Sequence, residues 1–191
     1  MLQFYKPNAK CTGSSCTFSF KHEDKAMFAS LMKQHSWDSA KRRGSFAGNK
    51  SNPKAQVSIK FSLTEAAGII DCIETNRSLS AYHSNVKQVT KINFTPYIPK
   101  GKDEQLGFTL SVNKEAKEDS TDKSVFLIGF NFQEARLLKE YIIHHLGQCF
   151  QLDFDNYSPT KRQPDQVKIK EHNLESNNFA PLNEEEEDDI W

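Results

Sequence analysis

Cysteine, proline and glycine are sparse in this 191-residue chain, at 4, 7 and 8 residues. The cysteines, Cys11, Cys16, Cys72 and Cys149, form no CxxC pair and no dense framework, which argues against a disulfide-stapled secreted fold and for a reduced intracellular protein. Together with His22, His83, His144 and His145 they show none of the paired spacings of a zinc site. The chain has no glycine-rich phosphate loop, no GxSxG elbow and no paired acids at metal-ligand spacing, so neither an enzyme nor a cofactor is expected. No apolar run approaches the roughly 18–20 residues that cross a bilayer, and no basic amphipathic helix suggests surface anchoring. The N-terminal MLQFYKPNAK has no hydrophobic signal region. A soluble protein of the cytoplasm, bacterial or in a phage-infected host cell, is the expectation.

What is present is a charge split. Net charge is zero, yet residues 1–150 carry 21 Lys/Arg against 14 Asp/Glu, and residues 151–191 carry 4 against 11. A body near +7 and a tail near −7 suggest a polyanion-binding domain whose tail meets partner proteins or competes with the ligand. The length suits one domain with its own core plus a tail. The boundary is expected at 152, with a single-stranded-nucleic-acid-binding domain over 1–152 and a flexible acidic tail over 153–191.

Period-two alternation marks strands. Cys16–Phe20, Val57–Leu63 and Leu106–Val112 each set an apolar face against a hydroxyl or basic one, and Val125–Phe130 is a more continuous apolar run. Leu79–Tyr82 and Val86–Phe94 also read as extended. Helical spacing appears at Leu63, Ala66, Ala67, Ile70 and Ile73 behind the capping-box pattern Ser62-Leu-Thr-Glu65. It recurs at Ala135, Leu138, Ile142 and Leu146 behind Asn131-Phe-Gln-Glu134, with Gly147 as the expected stop. A weaker helix is expected from Glu23 to Gln34, with Met27, Phe28, Leu31 and Met32 inward. Glu65 and Glu134 are read as helix caps rather than acid–base groups. Phe61-Ser-Leu-Thr-Glu65-Ala66 and Phe130-Asn-Phe-Gln-Glu134-Ala135 lie 69 residues apart, which suggests a strands-then-helix unit present twice.

After Phe150 the periodicity ends, and residues from about 155 to 191 offer too little apolar surface to offset the entropy of ordering. Six consecutive acids, Glu184 to Asp189, are closed by Ile190 and Trp191. A tail that only solubilises has no need of a terminal tryptophan, so Asp188, Asp189, Ile190 and Trp191 are the expected partner-binding segment.

The segment from Trp37 to Lys102 holds 11 Lys/Arg against 4 acids. Its cations include Lys41, Arg42, Arg43, Lys50, Lys54 and Lys60, interleaved with Trp37, Phe46, Tyr82, Phe94 and Tyr97. Cations follow phosphates while aromatic faces stack on unpaired bases, each stack contributing on the order of 1–3 kcal/mol without demanding a sequence. Phe18, Phe20, Phe61, Phe108 and Phe130 lie on the apolar faces of their strands and are assigned to the core. Trp37, Phe46, Tyr82 and Tyr97, beside polar or basic neighbours, are stacking candidates. The plainer alternative is that they too are core and that the cations form an ordinary solvated face.

From Ser36 to about Phe150 the order of features resembles the plant Whirly single-stranded-DNA-binding proteins, whose fold type is shared with a transcriptional positive cofactor. The matching stretches are Phe61-Ser-Leu-Thr-Glu65, Ser80-Ala-Tyr-His83, Val86-Lys-Gln-Val-Thr-Lys91 before Pro96, Phe108-Thr-Leu-Ser-Val-Asn-Lys114, and Ser124 to Phe132 running into Glu134-Ala135. The resemblance implies an α+β fold: two four-stranded antiparallel sheets, each followed by a helix, with the sheets splayed outward and the helices in the middle. It also implies homo-oligomers, commonly of four subunits, with single strands along sheet edges. By matched position it points to Trp37, Tyr82, Lys87, Lys91 and Lys114 as DNA contacts, beside the basic segment from Arg43 to Lys60.

The family's lysine-glycine-lysine motif is absent, with Gly13-Ser-Ser-Cys16-Thr-Phe18 standing roughly where it would fall. The tail is similar instead to bacterial and phage replication proteins that coat single strands. The expectation is a sequence-tolerant single-stranded-DNA binder of replication, recombination or repair, with partners recruited by the tail. The rival on the same fold is an RNA-binding protein or transcription cofactor, since stacking and phosphate contacts alone do not distinguish the sugar. A pure interaction scaffold is a second rival.

Overall fold

The computed structural model describes residues 1–118 and 123–157. The chain begins with three consecutive antiparallel strands, β1 (Leu2–Lys6), β2 (Ser14–Lys21) and β3 (Ala26–Lys33). A small two-stranded ribbon of β4 (Ser36–Asp38) and β5 (Arg43–Ser45) follows, then a 3-10 turn at Ala47–Asn49. The strand β6 (Gln56–Ser62) returns to pair with β3, and the helix α1 (Leu63–Thr75) follows it directly. Next come β7 (Leu79–Ser84), β8 (Gln88–Tyr97), β9 (Gly107–Ala116) and β10 (Lys123–Phe130), and last the helix α2 (Phe132–Tyr157). The first sheet has the order β1-β2-β3-β6 and the second β10-β9-β8-β7, both antiparallel throughout.

Among the described residues, the ribbon and 3-10 turn between β3 and β6 have no counterpart in the second sheet. Inward side chains of both sheets and both helices meet in one apolar cluster that includes Phe18, Phe61, Ile69, Phe94, Leu110 and Leu138. Aromatic rings join the two sheets, with Phe130 of β10 edge-on to Phe4 at 5.0 Å and 6.2 Å from Phe18.

Both helix starts are built as the sequence indicates. Ser62 Oγ accepts the Glu65 N–H at 3.2 Å while the Glu65 carboxylate accepts the Ser62 N–H at 2.8 Å. At α2, Asn131 Oδ1 accepts the Glu134 N–H at 2.8 Å and Glu134 returns the bond to the Asn131 N–H at 2.9 Å. These reciprocal bonds satisfy donors that a first helical turn leaves open. In α1 the buried stripe is Ala66, Ile69 and Cys72, so Ala67 is displaced to solvent and Ile70 and Ile73 are only partly covered.

Three expectations are corrected. Residues 26–33 are not helical but form β3: Met27, Ala29 and Leu31 are buried at period two, and hydrogen bonding to β2 and β6 on both sides overrides the i, i+4 pattern of Met27, Phe28, Leu31 and Met32. The turn that reverses the chain is His22–Lys25, closed by a Lys25 N–H to His22 carbonyl bond at 3.1 Å. Gly147 does not end α2, which runs through it to Tyr157, beyond the boundary expected at 152. Glycine in an exposed helix position costs only about 1 kcal/mol relative to alanine, a cost the helix absorbs while burying Cys149 just beyond it. Third, Phe20 is only partly buried, lying 4.8 Å from His145 in a stacked arrangement instead of inside the core.

Candidate nucleic-acid interface

Along β1, β2, β3 and β6 every second residue leaves the core, and the register sorts these outward residues into rows. Gln3, Thr17, Ser30 and Ser58 stand side by side across all four strands, and Tyr5, Ser15, Met32 and Gln56 form the adjacent row. Ser30 Oγ lies 3.3 Å from Ser58 Oγ. Tyr5, 57% exposed, meets Phe46 edge-on at 5.8 Å. Together with Lys50, Gln88 and Lys114 these groups line an open cleft of about 530 Å³ over the outer face of the first sheet.

Cations border the cleft at both ends. The β4–β5 turn fans out Lys41, Arg42 and Arg43, all exposed, because Asp38 Oδ1 accepts the Lys41 N–H at 3.0 Å and Arg42 adopts φ 49°. With Phe46 and Lys50 they line a hollow of about 840 Å³ that shares Tyr5, Phe46 and Lys50 with the cleft. At the other end Lys54, Lys87 and Lys114 surround a hollow of about 220 Å³, where Lys114 Nζ donates to the Pro53 carbonyl at 3.5 Å. Lys60 borders a further hollow of about 180 Å³ with His83, Ser84 and Gln88. Nine of the sequence-derived contacts, Lys41, Arg42, Arg43, Phe46, Lys50, Lys54, Lys60, Lys87 and Lys114, thus lie on hollows joined by shared residues.

The remaining four lie elsewhere. Tyr82 and Lys91 are cross-strand partners on β7 and β8, and Tyr82 is 61% exposed on the outer face of the second sheet. Trp37, half-buried, sits between Ser36 and Asp38, which line the ribbon hollow; strand alternation turns Trp37 to the opposite side. Tyr97 closes the far end of β8, about 30 Å from Gln88 at the usual rise per strand residue. The tail residues Asp188, Asp189, Ile190 and Trp191 lie outside the described residues.

Gln3, Tyr5, Thr17, Ser30, Ser58 and Gln88 are among the members of the cleft that sequence reasoning missed. Their signal was present as Leu2/Phe4 against Gln3/Tyr5, but a five-residue strand ending before Pro7 is too short to stand out. The serines and Thr17 were visible as the polar side of alternating strands, where they are indistinguishable from a solvated face.

Beside the cleft, the Glu65 carboxylate accepts from His83 Nε2 at 2.7 Å. Partial burial opposes ionisation of Glu65, but the bonds from the Ser62 N–H, from His83 and from the Ser62 hydroxyl outweigh it and lower its pKa. The anion is therefore committed to the cap and to His83. Among the described residues no group of three or more His, Cys, Asp or Glu is placed to hold a metal ion.

No family model matches the chain, and no curated protein matches it significantly. Solved structures do. WHY1 from Arabidopsis thaliana superposes with a TM-score of 0.54 at 11% identity, covering 85% of this chain and 93% of that one. The fold is Whirly-like. The MRP1/MRP2 structures from Trypanosoma brucei give a TM-score of 0.55 at 14% identity, covering 80% of this chain and 86% of that one. At these identities the Whirly-like likeness is one of fold: antiparallel sheets and two helices in the same arrangement.

Proposed function

We propose that this chain is a sequence-tolerant single-stranded-DNA-binding protein of replication, recombination or repair, acting by binding and not by catalysis. The observation that carries this reading is the pairing of an uncharged, aromatic-bearing row of the sheet face with cations flanking it. Phosphates on the cations and bases on the face fit an unpaired strand, whereas a duplex hides the base faces that stacking requires. The Whirly-like fold and the sequence resemblance to Whirly proteins favour the same ligand. Under this reading the acidic tail recruits replication or recombination partners in the cytoplasm, with Ile190 and Trp191 filling a partner's pocket and the neighbouring acids meeting a basic rim.

Self-association belongs to the proposal. Ile143, Gly147, Phe150, Phe154 and Tyr157 recur at three- and four-residue spacing on one face of α2, and Phe150, Phe154 and Tyr157 are 61%, 69% and 82% exposed. An apolar stripe of this kind on a helix favours a second copy of the chain as its cover.

The test is fluorescence anisotropy of a labelled oligothymidine of about 30 nucleotides across a salt series, with duplex and RNA competitors. Tight, salt-sensitive binding that unlabelled single-stranded DNA displaces and duplex does not is the expected result. Preferential displacement by RNA would move the reading to an RNA-binding protein on the same fold. Absence of binding at low salt would overturn the proposal.

A further inference from the structure

The cations of the interface flank the outer face of the first sheet, Lys60 standing next to Ser58 on β6 and opposite Phe28, whereas the row through Ser30 is itself uncharged. Among the residues lining the central cleft the charged ones are Lys50 and Lys114. Between them runs the row Gln3–Thr17–Ser30–Ser58, about 14 Å across at the usual strand spacing. Gln3, Ser30 and Ser58 are exposed and Thr17 is half-buried. Three of the four side chains are short, so the floor is low. Taller groups bound it: Tyr5 against Phe46 on one side, and on the other Phe28, with Lys21 Nζ 5.5 Å from the centre of its ring.

We propose that this face is a base-contacting floor, on which Gln3, Thr17, Ser30 and Ser58 meet base edges and Tyr5 stacks on a base, while phosphates are held by the lysines that flank it. The proposal rests on the single-strand-binding reading and adds to it which surface the bases occupy and by what chemistry. Hydroxyl and amide groups donate as well as accept, so one row can meet the edges of all four bases, as sequence tolerance requires. A lysine-covered floor would gain affinity through released counterions; a hydroxyl row releases none. The two contributions therefore separate in a salt series.

The experiment is oligothymidine anisotropy between low and moderate salt on the full-length chain, the double variant Thr17→Val/Ser30→Ala, Tyr5→Ala, and Lys50→Ala. Two lost neutral hydrogen bonds weaken binding about tenfold, at roughly 0.7 kcal/mol each. The slope of log K against log salt stays that of the unmodified chain in the double variant, and falls by about 0.7 in Lys50→Ala. Photocrosslinking of an oligonucleotide carrying 5-iodouracil to the unmodified chain, mapped by mass spectrometry, is expected to mark the peptide containing Tyr5, and needs no variant to fold. Binding by the double variant within twofold of the unmodified chain, or crosslinks confined to the Tyr82 peptide, would overturn the floor while leaving single-strand binding standing. Failure of the unmodified chain to bind any oligonucleotide would overturn both.

Discussion

The buried side chain of Gln34 is bonded twice to the backbone of Asn8. Its Oε1 accepts the Asn8 N–H at 2.9 Å and its Nε2 donates to the Asn8 carbonyl at 3.0 Å and to the Ser36 carbonyl at 2.9 Å. One amide thus ties the β1–β2 loop to the ribbon that carries Lys41, Arg42 and Arg43. Gly44 completes the joint: a Cβ there would collide with the Pro7 ring.

Replacing Gln34 with leucine would remove the partner of the Asn8 N–H and of the Ser36 carbonyl in a covered place, while the Asn8 carbonyl keeps the Cys11 N–H at 3.1 Å. A loss of about 2–3 kcal/mol in urea unfolding is expected, with faster amide exchange at residues 36–45 and weaker oligonucleotide binding. Unchanged exchange in the ribbon would show that Gln34 does not hold it.

Thiol chemistry should single out one cysteine. Cys11 is exposed, whereas Cys16, Cys72 and Cys149 are buried and burial raises the pKa of each of the three thiols. The thiolate is the reactive form, so one equivalent of Ellman's reagent is expected to react rapidly with the native protein and the other three only after denaturation. Rapid reaction of two or more thiols would contradict this packing.

The tip of the β2–β3 hairpin docks on α2 through His22 Nε2 and His145 Nδ1, 2.8 Å apart, and through Lys25 with Asp153 at 2.7 Å. Burial lowers the pKa of His145 from 6.5, helped by the nearby His22 and His144; the Gln148 bond pulls it upward without reversing the outcome. The unfolded chain therefore takes up this proton more readily than the folded one. Stability is fully present above pH 6.5 and declines as pH falls below it. Glu65, lowered in its turn, adds a loss that begins only below its ordinary 4.5. Urea midpoints measured at stepped pH should fall from near neutrality downward in the unmodified chain, and the decline above pH 5 should shrink in His145→Gln. An identical decline in that variant would assign it to other groups.

The apolar stripe on α2 makes a prediction about size. Phe150→Asp/Phe154→Asp changes two exposed positions, so the cost to the fold of one chain is small, about 0.5 kcal/mol or less per site. Light scattering coupled to size exclusion should report a multimer for the unmodified chain and a smaller species for the variant. A monomeric unmodified chain would remove the stripe as a self-association surface.

Much of this was legible in the chain itself. Alternation located β2, β6 and β9, and Ser62-x-x-Glu65 and Asn131-x-x-Glu134 marked both helix starts to the residue, because capping and period-two burial are decided by neighbours a few positions apart. Residues 26–33 were misread for the converse reason: Met27, Phe28, Leu31 and Met32 satisfy a helical spacing, and only pairing with β2 and β6, the latter some thirty residues away, makes them a strand. The basic segment was visible as composition, but composition does not say which cations share a surface. Trp37 and Phe46, nine residues apart, fall on different sides of one small ribbon, while Lys114 joins Lys50 from the other sheet. The local chemistry of strands, caps and charge belongs to the sequence by itself. The cleft belongs to the tertiary structure, since Gln3, Thr17, Ser30 and Ser58 meet only when long-range strand register, set by burial of Phe4, Phe18, Ala29 and Ile59 on the opposite face, aligns them.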